Sequence, residues 1–283
     1  MAPIRRSRRL EGKRDRLSDL SDEILLHIMS FMMIKDVVKT CILSKRWQNL
    51  WKSLPDLILH VSNFSNPLFF YEFVSGLVRC RGGIQPLRTL DFDRYGYVQP
   101  QILNDLFQYA LLHDLQHLKI NVPYNFGLPN SIFSFQSLTS LHISVSPYDI
   151  KKKTRVPLHL DLPELVNLHL EKVGISTDEN GHAKPFSTCN KLKILSIEDC
   201  VLVYPSSLSP QELGVLDITN ATLTDLTIID DTPPTYITAV PIPRYKYVIC
   251  TPKLSSFTMN SSPFRTLHGQ GGMTVELHSS SLM

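Results

Sequence analysis

An apolar template, L-x-x-L-x-L with Ile, Phe or Met admitted in the later slots, recurs eight times between residues 54 and 259. It stands at Leu54-Leu57-Leu59, Leu87-Leu90-Phe92, Leu115-Leu118-Ile120, Leu138-Leu141-Ile143, Leu165-Leu168-Leu170, Leu192-Leu195-Ile197, Leu223-Leu226-Ile228 and Leu254-Phe257-Met259. The start-to-start spacings are 33, 28, 23, 27, 27, 31 and 31 residues. A unit this short cannot bury its own leucines, so neighbouring units must stack and share one core. The reading is one strand per repeat in a solenoid, with the template leucines turned inward. A ninth match, Leu213-Leu216-Ile218, begins 10 residues before the next and is not counted. Similar runs, VPLHL before Leu165 and YKYVI before Leu254, are read with it as short strands on the convex side. Residues 66–80 and 100–113 carry helical periodicity and are expected to be convex helices of the early repeats.

Strand alternation turns the residues between template slots to the exposed, concave side. The expected central column is Asp91, Lys119, His142, His169, Ser196, Asp217, Thr227 and Thr258. A flanking column reads Thr89, His117, Ser140, Asn167, Ile194, Asp225 and Ser256. With strands ~4.8 Å apart, the wall would be roughly 35–40 Å long. It is polar and mixed in sign, which suits a peptide or protein surface. The first six residues of the central column are the candidate target-binding residues. His142 and His169 fall in adjacent repeats. With no carboxylate or thiol assigned beside them they make a poor metal pair, and no metal or cofactor is expected.

Residues 15–54 have a different character. Ile24, Leu25, Ile28, Phe31 and Met32 lie on one face of a helix, with Ser21 as its expected N-cap and Asp22 and Glu23 in its first turn. A second helix would carry Val37, Val38, Cys41 and Ile42. A third would start at Ser44, carry Trp47, Leu50 and Trp51, and stop before Pro55. Forty residues are too few to bury that many large apolar side chains, each worth roughly 1.5–3 kcal/mol of burial. Some of this surface should meet another domain or another protein.

The stretch DRLSDLSDEILLHIMSF, followed by KDVVKTCILSKRWQNLW, resembles the F-box of plant F-box/leucine-rich-repeat proteins. Two departures stand out. Ser21 replaces a proline, and Met32-Met33-Ile34 replaces the usual Leu-Pro-[ILT]. Ser21 is expected to weaken partner binding without abolishing it. The resemblance implies an α/β chain: a disordered basic arm over 1–14, a three-helix F-box over 15–54, an irregular leucine-rich-repeat solenoid over 55–260 and a polar tail over 261–283. It also implies a non-catalytic subunit of a Skp-cullin-F-box (SCF-type) ubiquitin ligase. Leu20, Ser21, Ile24, Leu25, Ile28, Leu43, Ser44 and Trp47 would dock on the Skp adaptor, which bridges to cullin and RING subunits, while the repeats would hold a target protein. Relatives of this build usually continue with further repeats and a C-terminal FBD region, so a shortened product is expected. The alternative is a repeat scaffold that does not assemble into a ligase.

Charge and motifs narrow the rest. Seven of the 29 Lys and Arg lie in residues 1–16, leaving 22 basic against 24 acidic groups beyond them. The repeats therefore offer no basic surface for nucleic acid, nor the basic floor of a small-molecule receptor that holds an inositol phosphate. Arg5, Arg6, Arg8 and Arg9 could be a nuclear localisation signal, and nucleus or cytoplasm is the expected location. The five widely spaced cysteines include no C-x-x-C and read as free thiols. The N-x-[ST] matches at Asn63, Asn220 and Asn260 read as chance. No G-x-S-x-G, H-E-x-x-H, P-loop or G-x-G-x-x-G pattern occurs, so no catalytic set is expected. No apolar run is long enough to span a membrane.

Overall fold

The computed structural model describes residues 16, 17, 19–82, 87–94, 100–123, 127–146, 154–205, 214–230, 245–261 and 274–277. The basic arm, Ser18, Gly83, Leu213 and most of the tail lie outside them. The chain divides into two compact units between Leu54 and Pro55.

The first unit contains α1 (Asp22–Ser30), α2 (Ile34–Lys39) and α3 (Trp47–Leu50), with 3-10 turns at Thr40–Ile42 and Trp51–Ser53. Ser21 stands at the N-cap of α1, but its hydroxyl caps no backbone N–H. Glu23 has its pKa lowered instead, by its own backbone N–H first and by the Ser21 hydroxyl second. Arg46 ties the two ends of the unit together. Its Nε donates to Asp22 Oδ1 at 2.8 Å, and a terminal nitrogen donates to the Leu20 carbonyl at 2.6 Å. The buried set is Leu25, Met29, Ile34, Val37, Trp47, Leu50, Trp51 and Leu54. The indole of Trp51 donates to the Gln48 carbonyl at 3.1 Å.

The second unit opens with β1 (Asp56–His60), α4 (Pro67–Arg81), β2 (Thr89–Asp93), α5 (Pro100–Leu111), β3 (His117–Val122) and β4 (Ser140–Val145). It continues with β5 (Arg155–Val156), β6 (Asn167–Glu171), β7 (Gly174–Ser176), β8 (His182–Ala183), β9 (Ile194–Glu198), β10 (Val201–Val203), β11 (Gly214–Thr219), β12 (Asp225–Asp230), β13 (Tyr245–Cys250), β14 (Ser256–Ser261) and β15 (Thr274–Leu277). The two expected helices are α4 and α5. Asn66 caps α4 by accepting from Leu68 N–H at 2.8 Å, Pro67 fits the first turn, and Gly82 stops it at φ +71°. A 3-10 turn at Asn130–Ser134 stands between β3 and β4.

The eight template copies become eight parallel strands of one sheet, in the order β1-β2-β3-β4-β6-β9-β12-β14. Register matches the template residue for residue. Leu57, Leu90, Leu118, Leu141, Leu168, Leu195, Leu226 and Phe257 are successive partners. Two residues further along, Leu59, Phe92, Ile120, Ile143, Leu170, Ile197 and Ile228 form a second row, and both rows are buried apart from the last strand.

Seven more strands build two further sheets, β10-β7-β5 and β15-β13-β11-β8. Those containing Leu216-Ile218 and YKYVI are expected, whereas VPLHL contributes only Val156 to β5 and its remaining four residues lie outside any strand. Those at β7 and β10 are not expected: each follows a main strand after a sharp turn at Lys172 (φ 56°) or Asp199 (φ 49°). Thr274–Leu277, expected in a polar tail, pairs with β13. Asn220, in an N-x-[ST] match read as chance, has a structural role. It is buried, its amide donates to the Phe186 and Cys189 carbonyls at 3.0 Å, and its oxygen accepts from Thr222 and Leu223 N–H.

Candidate functional sites

Two surfaces need an explanation. The first is apolar. In the first unit Leu17, Ile24, Ile28, Phe31, Met32, Met33, Ile42 and Leu43 are all exposed, Phe31 by 78 % and Ile42 by 84 %. Leaving that many large apolar side chains in water forgoes several kcal/mol of burial. The eight expected docking residues divide. Ser21, Ile24, Ile28, Leu43 and Ser44 are exposed and Leu20 is half-buried. Leu25 and Trp47 are buried and hold the helices together, so they are corrected from contact residues to core residues. The cause lies in α1, which is apolar on two sides. Leu25 and Met29 turn inward while Ile24, Ile28 and Phe31 turn outward. Phe31, Met32, Met33 and Ile42 belong with the exposed set; Phe31, Met32 and Ile42 are expected on apolar helix faces, but not among the docking residues. Met33 lies in the departure from the family pattern, which was the available signal.

The second surface is the outward face of the eight-stranded sheet. All-parallel sheets are usually covered on both faces, and this one leaves a polar face half-exposed. Asp91, Lys119, His142, His169 and Ser196 are successive register partners there, with Ile58 before them and Thr227 and Thr258 after. Asp217 is not among them. It lies on β11 in a different sheet, is 9 % exposed, and pairs with Lys184 Nζ at 2.6 Å. The match that contained it is a second-sheet strand, so its outward position faces other neighbours.

The next outward row runs His60, Asp93, Asn121, Ser144, Glu171 and Glu198. Between the two rows, His60 Nε2 lies 3.0 Å from Asp91 Oδ1, close but out of hydrogen-bond alignment. Lys119 Nζ lies 3.7 Å from the other Asp91 oxygen. His142 and His169 stack at 4.1 Å between ring centroids, 21° apart in plane. Burial pushes His142 down to about 4, with His169 and Lys119 acting the same way. Glu171 stands beside the pair. Its carboxylate accepts from Ser144 Oγ at 2.7 Å and from Lys172 Nζ at 2.6 Å. Burial opposes its ionisation, but these two donors outweigh burial and leave its pKa lowered. The expectation that the two histidines lack a carboxylate neighbour is therefore wrong. Two residues along a strand return a side chain to the same face, and that is where Glu171 sits relative to His169.

Comparison with known proteins bears on both surfaces. A family model for the F-box domain matches residues 17–59. A second, described as "FBD-associated F-box protein At5g56370, LRR repeats", matches residues 103–234. The chain is a plant-type F-box/leucine-rich-repeat protein. The F-box/FBD/LRR-repeat protein At4g26340 of Arabidopsis thaliana is 33 % identical to it over 195 residues, 65 % of this chain and 44 % of the relative. F-box/LRR-repeat protein 13 from the same plant is 26 % identical over 272 residues, 87 % of this chain and 54 % of the relative. The F-box/LRR chain spans about half the length of the curated relatives it matches. No solved structure matches it. The apolar surface lies in the F-box match, and β4, β6, β9 and β12 lie in the repeat match.

Proposed function

We propose that this chain is a substrate-recognition subunit of an SCF-type ubiquitin ligase. F-box proteins with leucine-rich repeats generally act as such receptors, and an F-box in general implies a Skp-type adaptor as partner. The observation that carries the reading is the set of eight exposed apolar side chains inside or at the edge of the F-box helices. Ile24, Ile28, Ile42 and Leu43 are the residues offered to the adaptor, flanked by Leu20, Ser21 and Ser44. The repeats form a solenoid whose outward sheet face, with Asp91, Lys119, His142, His169 and Ser196, receives a target protein. The adaptor bridges to cullin and RING subunits. The chain itself contributes effective concentration and no chemistry. Nuclear or cytoplasmic residence belongs to this proposal, and fluorescent fusions with Arg5, Arg6, Arg8 and Arg9 changed to Ala test the basic arm.

The deciding experiment is co-purification of residues 1–283 with a plant Skp adaptor, for wild type, Ile24→Asp and Leu43→Asp. Binding by wild type and its loss in both variants, with helicity retained in far-UV circular dichroism, supports the reading. Unchanged binding by the folded variants removes this docking face. Failure of the folded wild type to bind leaves a repeat scaffold outside a ligase.

A further inference from the structure

Two imidazoles and a carboxylate converge on the outward side of β4 and β6. His142 and His169 are partners on adjacent strands, and Glu171 returns to the same side two residues beyond His169. One donor atom from each of the three lies within 4.8 Å of the other two. The carboxylate is steered by Ser144 and Lys172, as described above. His169 Nδ1 lies 3.7 Å from Glu198 Oε1, beyond hydrogen-bond distance, and a small shift would let that carboxylate support the imidazole in the way metal-binding histidines are usually supported.

We propose that His142, His169 and Glu171 bind one divalent ion of the imidazole-preferring class, with zinc as the reference ion. Bonds of about 2.0–2.1 Å put the donors of a tetrahedral zinc about 3.3 Å apart. The three groups therefore need to close by no more than about 1.5 Å, within reach of side-chain rotation. The in-plane lone pairs of two stacked rings run nearly parallel and cannot meet at one ion, so binding swings one imidazole out of the stack. Three protein ligands leave the fourth position open to solvent, where a water or a side chain of a bound protein completes the shell. The site does not depend on adaptor docking by the F-box.

The test uses the untagged full chain, stripped with chelator, in titrations with zinc against a chromophoric competitor and with cobalt followed by visible absorption. Uptake of one equivalent is expected, with a cobalt spectrum free of thiolate charge-transfer bands, which excludes the five cysteines. His142→Ala and Glu171→Gln should each weaken zinc binding at least about tenfold, while His182→Gln, on a different sheet, leaves it unchanged. Magnesium should not compete, since it prefers oxygen ligands. Circular dichroism checks that every variant is folded. The absence of saturable uptake by the folded wild type overturns the proposal. So does uptake that the folded Glu171→Gln and His142→Ala chains retain in full, or a thiolate spectrum.

Discussion

At the scale of single residues, Ser21 at the start of α1 gives the first test. Its φ of −68° lies in the range proline imposes, and its hydroxyl caps nothing. Ser21→Pro should therefore raise stability by about 0.4–1 kcal/mol through the unfolded chain, read by urea unfolding. A loss of stability would show that the serine N–H is needed. Arg46→Ala breaks the clamp on Asp22 and Leu20. Its partial exposure limits the expected cost to about 1 kcal/mol. Asp56 makes a pH test. Burial pushes its pKa up, but the hydrogen bonds from Arg88 and Thr89 outweigh burial and leave it lowered. The folded chain then binds that proton less readily than the unfolded chain. The pair's contribution is complete above the ordinary carboxylate range and is lost as pH falls through the lowered value. Asp56→Asn should cost stability at pH 6 and much less at pH 3. An equal gap at both pH values would remove the pair from the account.

At the scale of elements, the main strands were legible and the small ones were not. A leucine every two or three residues in a repeating frame leaves a strand little choice of face, because a one-residue slip would expose the whole row. β7, β8 and β10 are two or three residues long. They exist because neighbouring repeats present partners, which is tertiary information. The helices of the F-box were legible as helices, but α1 is apolar on two sides, so its buried face could not be read from spacing alone. Asn220 belongs to this scale because one amide closes the turn between β11 and β12 onto the preceding repeat. Asn220→Ala removes the acceptor of the Thr222 and Leu223 N–H groups, along with its own bonds to the Phe186 and Cys189 carbonyls, which each keep one backbone donor, and should cost about 1–3 kcal/mol, measured by thermal or urea unfolding. A change under half a kcal/mol would mean that water replaces the amide.

At the scale of the molecule, the two units differ in how much they depend on a partner. The repeat unit buries two continuous apolar rows. The F-box unit exposes as many large apolar side chains as it buries. Adaptor binding should therefore stabilise the F-box selectively, by about 2.7 kcal/mol at a hundredfold excess over the dissociation constant. Hydrogen exchange with and without adaptor checks this: slowed exchange in residues 22–54, with β6 to β14 unchanged, is expected. Slowing confined to the repeats would place the adaptor elsewhere.

The alternation along each main strand gives the chain two independent inscriptions. Inward letters spell the core and must stay apolar; outward letters touch only solvent or a neighbour in the next repeat. A change to an outward letter away from the paired charges should shift stability by no more than about 0.5 kcal/mol. The outward face can therefore change residue by residue while the scaffold beneath it stays intact, so one architecture can carry many different surfaces.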